Sequence, residues 1–413
     1  ETERGRGGPT PQALNPPGPA EAFAPARDLN GLHSCRNPAV TSITHCLPWA
    51  HAPQNLSIFN WEVGMAPDPT LPSFRYRLEQ QPPHSSCGGL VRGASVRQFP
   101  VSTGIAGASM RLQPGSLREL HWHTTAAEMG YVVSGSCRTT VLSPDGAATD
   151  TFGPGDVWYF PRGWGHSIQG IGPSECHFIL IFDNGAFAED HTLSISDWLA
   201  HTSPAVVSQS LGLGMEWVAK LPKGETYFAE GAVRDDSFTR ATPREKPTLL
   251  TTHRYPLGAQ QPRRVPGGGA QWTVTANEFP ISTTLSASVL EVEPGAMREL
   301  HWHPHADEWQ YYLEGAGEMA VFLGMVHAFT EQFVTGDTGY LPMGAGHYIR
   351  NTGSRILRVL VGFNNGHYHS HDLSAWVASN TPDVLAANLG LPRTVAEGLP
   401  KERLFIARPP DAR

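Results

Sequence analysis

Cysteine is scarce in this chain of 413 residues. The five present, Cys35, Cys46, Cys87, Cys137 and Cys176, form no Cys-x-x-Cys pair, so a zinc ribbon has no support. Cys35 and Cys46 are placed to bridge near the start of the chain in an oxidising compartment, with free thiols the competing reading. The address, cytoplasmic or secreted, therefore stays open. Long apolar runs are missing too, and none approaches the length that spans a bilayer. Nor is there a basic run: the net charge is −8 and the pI near 6.2, a balance that argues against a nucleic-acid partner. The opening residues cannot bury a core, because they carry Gly5, Gly7, Gly8, Pro9, Pro11, Pro16, Pro17, Gly18 and Pro19. The first residue is Glu1 rather than Met, which leaves a removed signal peptide open.

What the chain does have is an internal repeat. The segment Arg-Glu-Leu-His-Trp-His occurs at Arg118–His123 and again, 180 residues on, at Arg298–His303. The offset extends to Gln81-Pro82 and Gln261-Pro262, Phe99-Pro100 and Phe279-Pro280, and Pro114-Gly115 and Pro294-Gly295. A period this long is a whole domain rather than a solenoid unit. The chain divides accordingly into an extension (residues 1–70, largely irregular), a first domain (71–240) and a second (241–413).

Both domains read as all-β. Short runs rich in β-branched and aromatic residues, punctuated by Gly and Pro, predict strands over 128–134, 139–142, 157–160 and 178–182, then 309–313, 319–323, 339–341 and 357–363. Closing such strands into a jelly-roll barrel protects the edges and leaves an interior able to hold a site. Helical patterning follows each barrel only, at 194–200 with 204–211 and at 373–379 with 382–389, as short appended helices suited to subunit packing.

Side chains on a strand alternate with period two, so each His-x-His pair presents both imidazoles to one face. With a carboxylate five residues on and a later histidine, each domain gathers four candidate metal ligands: His121, His123, Glu128 and His166, then His301, His303, Glu308 and His347. Three neutral imidazoles and one carboxylate suit a divalent first-row ion with positions left open for substrate, and Mn(II), Fe(II), Ni(II) and Zn(II) all fit. Closed structural zinc sites differ in kind. Eight matched donors weigh against the plain alternative of satisfied core histidines. Three residues before the first ligand stand Arg118 and Arg298, out of phase with the ligands' strict alternation. A guanidinium there would hold a carboxylate; the alternative is pairing with Glu119 or Glu299 at the rim.

The spacings Gly115-x5-His121-x-His123-x4-Glu128-x6-Gly135 and Gly155-x5-Pro161-x-Gly163-x2-His166, with their repeats at Gly295–Gly315 and Gly336–Asn351, resemble the two cupin motifs. Two full sets in one chain, together with Asp156–Gln169 and Phe182–Asp190, resemble the bicupin oxalate decarboxylase family over roughly residues 70–400. That resemblance implies two tandem cupin barrels, two Mn(II) per chain, dioxygen as co-catalyst, and oxalate as a small dicarboxylate substrate split to formate and carbon dioxide. It also implies Arg118 and Arg298 as substrate-binding residues, Glu189 as the proton donor and acceptor on a lid, and a homo-oligomer, trimer or hexamer. The chain departs from the family at the lid flanks, where Ala188, Asp190 and His191 replace serine, asparagine and serine, and at Gly170, where the second copy has Asn351. A late glutamate that the family can place in the second barrel falls here on Val361. Histidines 367, 369 and 371 in the second lid-like region read as a solvated loop, and Trp122 and Trp302 as wall packing. The competing functions are an oxalate oxidase releasing hydrogen peroxide, a non-catalytic storage-like bicupin, and a dioxygenase for a larger acid.

Overall fold

The computed structural model describes residues 72–189, 192–231, 252–324 and 327–409. The N-terminal extension and the Cys35–Cys46 reading lie outside them. Of the described cysteines, Cys137 and Cys176 are buried free thiols and Cys87 is disulfide-bonded.

Each domain is a barrel of two antiparallel sheets. In the first, the seven-stranded sheet runs in the order Arg254–Tyr255, Val157–Phe160, Glu128–Ser134, Cys176–Phe182, Ala106–Leu112, Gly89–Ala94, His84–Ser86. The facing sheet holds Leu193–Ser194, Leu117–Trp122, Gly165–Gly170, Cys137–Ser143 and Gly146–Phe152, with Phe228–Ala229 added beside Leu117–Trp122. The second barrel repeats this order. Helices Ile195–Ala200 and Pro204–Leu211 follow the first barrel, and Leu373–Ala378 and Pro382–Leu389 the second. A further single turn follows each pair, at Met215–Val218 and Arg393–Ala396.

The two halves exchange their opening strands. Arg75–Tyr76 pairs with Thr338–Leu341 of the second barrel, and Arg254–Tyr255 pairs with Val157–Phe160 of the first. Matching ion pairs pin the exchange: Arg75 to Asp337 at 2.7 Å and Arg254 to Asp156 at 2.9 Å. A division at residue 241 thus describes the repeat in sequence but not the membership of these strands. Strand Cys176–Phe182 is buried along its whole length, which follows from where its two faces point. Phe178, Leu180 and Phe182 fill the first barrel, whereas Ile179 and Ile181 join Phe99, Trp309, Tyr311 and Leu360 in a core shared between the barrels. Such a strand reads as an unbroken apolar run. At Gly107 a Cβ would sit 2.2 Å from the Trp309 ring, so only glycine lets the indole of one barrel lie on the backbone of the other.

The barrel floors have diverged. His253 of the exchanged segment is fully buried, with its Nε2 2.8 Å from Thr139 Oγ1 and its Nδ1 3.3 Å from Asp150. The second barrel has Phe74 and Met319 at these places, both in its apolar core. Burial, with a smaller contribution from His166, pushes the His253 imidazole down to about 4. A histidine that stays neutral in the fold and charges on unfolding adds full stability above about pH 6.5, and this is lost as the pH falls toward 4, by on the order of 3 kcal/mol. The double substitution T139M/H253F, which installs the second barrel's pair, should therefore lose less stability than the parent between pH 7 and pH 5. Urea midpoints at the two pH values measure this, and equal losses would contradict it.

Candidate metal centres

Strand Leu117–Trp122 carries His121, and His123 follows it; strand Glu128–Ser134 begins with the carboxylate, and strand Gly165–Gly170 supplies His166. One ligand atom from each of the four lies within 4.8 Å of the others, and the same holds for His301, His303, Glu308 and His347. All eight are buried. Sequence spacing placed these residues in two sets, and the fold brings each set together.

The hydrogen bonds behind the rings fix which nitrogen faces inward. His121 Nδ1–H donates to the Glu119 carbonyl at 2.6 Å and His166 Nδ1–H to the Trp164 carbonyl at 2.9 Å. In the second barrel His301, His347 and His303 donate to the carbonyls of Glu299, Ala345 and His369 at 2.7, 2.9 and 2.7 Å. A ring that donates through Nδ1 presents its Nε2 lone pair to a cation. Burial first, and neighbouring positive charge second, holds His121, His123 and His301 well below the ordinary histidine range, and burial lowers His303 as well. Although burial opposes it, His347 and His303 hold the Glu308 carboxyl far below the usual carboxylate range. Nε2 of His121, His123 and His166 and Oε2 of Glu128 are buried without a hydrogen-bond partner, and Nε2 of His303 and His347 lie 2.8 and 3.3 Å from Glu308 Oε2. Buried donors of this kind, aimed at one point, fit a divalent cation.

The two carboxylates are oriented differently. Trp158 Nε1–H donates to Glu128 Oε1 at 2.8 Å, whereas Gln310 Nε2 donates to Glu308 Oε1 at 2.6 Å. The Trp158 indole occupies the space above Gly130, where a Cβ would meet the ring at 2.0 Å, so the glycine and the tryptophan go together. Gln310 stands at the corresponding place in the second copy. Neither residue was legible as part of a site, because a lone aromatic or amide on a core strand reads as packing.

Arg118 and Arg298 are buried inside the barrels despite their odd phase. A β-bulge explains this: His121 pairs with His166 but Arg118 pairs with Ile168, so one residue extra is accommodated between them. The same shift separates Arg298 and His301. A bulge re-aims a side chain in this way. The rim pairing with Glu119 or Glu299 does not occur. Glu119 instead accepts from the backbone N–H of Tyr227 at 2.6 Å and of Thr226 at 3.0 Å, and Glu299 accepts from Phe405 N–H at 2.6 Å. These contacts hold Tyr227 and Phe405 at φ of 59° and 69°, the left-handed region that favours glycine. Both residues then lie against the arginines, the Arg118 guanidinium 3.8 Å from the Tyr227 ring centre and that of Arg298 4.4 Å from Phe405.

Around Arg118 the first barrel places Glu189. Arg118 Nε donates to Glu189 Oε1 at 2.8 Å, its NH2 group donates to Thr192 Oγ1 at 2.7 Å, and Glu189 Oε2 lies 3.7 Å from His123 Nε2. Burial pushes the Glu189 carboxyl up to about 7 against the opposing pull of Arg118. Phe182 and Phe187 wall this space, 5.5 and 4.8 Å from the His123 ring. A cavity of about 370 Å³, lined by His84, Ala94, Phe187, Ala188, Glu189 and Tyr227 among others, reaches Glu189 without touching a quartet residue. Glu189 thus stands between the cavity and the quartet. Asp190 and His191 lie outside the described residues.

The second barrel has no acid in the matching connection, residues 364–371, and its arginine is met by Asp372 instead. The connection from Phe363 to Asp372 is three residues shorter than that from Phe182 to Ser194, and Val361 is packed in the core. His367, His369 and His371 are exposed and belong to no ligand cluster among the described residues. Trp122 and Trp302 face outward from the sheets, edge-on to Trp198 and Trp376 at 5.7 and 5.6 Å.

The cupin family profile matches residues 76–218 and 256–397. Oxalate decarboxylase OxdC of Bacillus subtilis (strain 168) is 39% identical over 321 residues, covering 76% of this chain and 82% of that protein. A probable oxalate decarboxylase of Arthroderma benhamiae is 33% identical over 81% of this chain and 83% of its own length. Among solved structures, one of Bacillus subtilis oxalate decarboxylase concerned with its Mn(II) centres superposes with a TM-score of 0.78 at 35% identity, covering 83% of this chain and 90% of that one. A duplicated barrel, a full set of four donors in each copy and similarity along both halves have one reading: the chain belongs to the bicupin oxalate decarboxylase family of the cupins.

Proposed function

We propose that this protein decarboxylates oxalate to formate and carbon dioxide in its first barrel, with Mn(II) held by each quartet and dioxygen as co-catalyst. The observation that carries the reading is the position of Glu189: buried, bonded to Arg118, and within 4 Å of a quartet imidazole. Manganese with dioxygen supplies a reversible one-electron oxidation of the substrate when bound at His121, His123, Glu128 and His166. The chain's own groups do the rest. Arg118, released from Glu189, holds a substrate carboxylate and stabilises charge developing on its oxygen. Glu189, with a carboxyl near 7, takes the proton from the substrate's remaining acid group. As the carbon–carbon bond breaks and carbon dioxide departs, the same carboxyl returns that proton to carbon, giving formate. Phe182 and Phe187 exclude water that would otherwise supply stray protons.

The lid flank supports a second reading. Ala188 offers a buried methyl in place of a hydroxyl beside Glu189, and weaker retention of the lid would favour oxidation of both carbons with release of peroxide, as in an oxalate oxidase. Retention of all eight donors weighs against a storage role. Exposed Leu120, Leu142 and Trp198 on the outer face of the first barrel, and Leu300 and Trp376 on the second, support assembly into a homo-oligomer, trimer or hexamer. No described helix is long and apolar enough to cross a membrane.

Incubating the manganese-loaded protein with oxalate and measuring formate, carbon dioxide and peroxide together decides between these readings. Formate and carbon dioxide in equal amounts without peroxide are expected. Peroxide without formate would select the oxidase, and no product would remove the enzymatic reading. The Glu189→Gln variant should lose formate production by roughly 10²-fold or more while keeping its metals, since general acid–base catalysis contributes at least that much. Formate production at the parent rate would take Glu189 out of the mechanism.

A further inference from the structure

Both barrels set an acid against their buried arginine, Glu189 on Arg118 and Asp372 on Arg298, but the two acids are attached differently. Asp372 stands where the first barrel has Ser194, since Asp372 pairs with His301 as Ser194 pairs with His121. Ser194 caps the helix that follows, its hydroxyl accepting from Asp197 N–H. Asp372 precedes the matching helix, where an aspartate ordinarily accepts from the first turn, yet its carboxylate makes no capping bond. It turns inward instead. Oδ1 accepts from Arg298 NH2 at 2.6 Å and from Ser370 Oγ at 3.2 Å, and Oδ2 accepts from Arg403 Nε. The side chain is fully buried. Burial alone would raise its carboxyl, but Arg298 and Arg403 hold it below the usual carboxylate range.

We propose that Asp372 is a resident occupant of the second barrel's anion cradle, keeping a dicarboxylate away from the quartet there and confining substrate to the first barrel. This rests on the reading of Arg118 and Arg298 as carboxylate-binding groups. Arg298 has committed NH1 to the Phe405 carbonyl at 2.9 Å and NH2 to Ser370 and Asp372. The first barrel also sets an acid against its arginine, but by a different attachment. Glu189 lies in the connection between Phe182 and Leu193–Ser194, outside the sheets, so no strand pairing ties it to Arg118. Asp372 belongs to a strand bonded to Met297–Trp302 and immediately precedes the helix Leu373–Ala378, so its backbone is fixed by the sheet while Arg298, Ser370 and Arg403 hold its carboxylate inward. A second pin, Arg403, bonds both Asp372 and Ser370, and Arg403 has an acid, Glu225, at the matching place in the first copy. Asp372 is thus a specificity-determining residue of the second barrel and touches no reacting atom.

The test is anaerobic calorimetric titration of the intact manganese-loaded chain with oxalate, where no turnover occurs, alongside Asp372→Ser and Asp372→Ser/Arg298→Ala. The parent should bind one oxalate per chain, Asp372→Ser two, and the double variant one again. Two oxalates on the parent, or one on Asp372→Ser with two metals retained, would overturn the inference and leave the assignment to the first barrel standing. No oxalate on the parent but one, dependent on Arg298, on Asp372→Ser would sustain the inference and sink the reading of the first barrel. No binding to either protein would overturn both. If Asp372→Ser loses metal or fold, Asp372→Asn preserves the shape without the charge. It should admit a second oxalate at lower affinity, and one oxalate with both metals present would count against the proposal.

Discussion

Each barrel buries three imidazole nitrogens and a carboxylate oxygen around one point, shielded from bulk solvent. Such groups have no partner among themselves that satisfies all four, because three neutral lone pairs and an anion repel rather than bond. A divalent cation resolves that conflict. Much of the surrounding architecture serves the convergence: the carbonyls that receive each Nδ1–H, the bulge in the strand carrying the paired histidines, and the sheet order that sets strand Glu128–Ser134 opposite them.

Duplication supplied two such centres, and divergence gave them different surroundings. In the first barrel, Glu128 is steadied by a tryptophan that needs Gly130 beneath it, and a longer connection brings Glu189 to Arg118. In the second, Gln310 takes over the carboxylate, the connection is shorter, and Asp372 sits on Arg298. The divergence reaches the floors, where Thr139 and His253 replace Met319 and Phe74. The exchanged strands and the common core around Trp309 tie the halves together, so the second barrel stabilises the first even where it takes no part in its chemistry.

Much of this was legible in the sequence, for a physical reason: period two on a strand fixes which face a side chain takes. The His-x-His pairs followed from that rule, the glutamates and later histidines from their matched spacing in the two copies and the resemblance to the cupin motifs, and the strands and the helices over 204–211 and 382–389 from local residue patterning. Arg118 did not follow, because a bulge is a local exception to alternation that no period reveals. Glu119, Tyr227, Thr192 and Trp158 were also beyond reach. They act through contacts between segments far apart in the chain, such as the 2.6 Å bond from Tyr227 N–H to Glu119. The exchange of opening strands was hidden likewise, since two residues of extended chain carry no signal of which barrel they join. Asp372 did not stand out, because an aspartate just before a helix is commonplace in sequence and only the direction of its carboxylate sets it apart.

The account stands on two separate cation sites per chain, and the most direct measurement is transition-metal content of the purified protein compared with its Glu308→Ala variant. Two ions per chain in the parent and one in the variant, with the first site intact, is the predicted result. A parent without stoichiometric metal, or a variant that retains both ions, would contradict it.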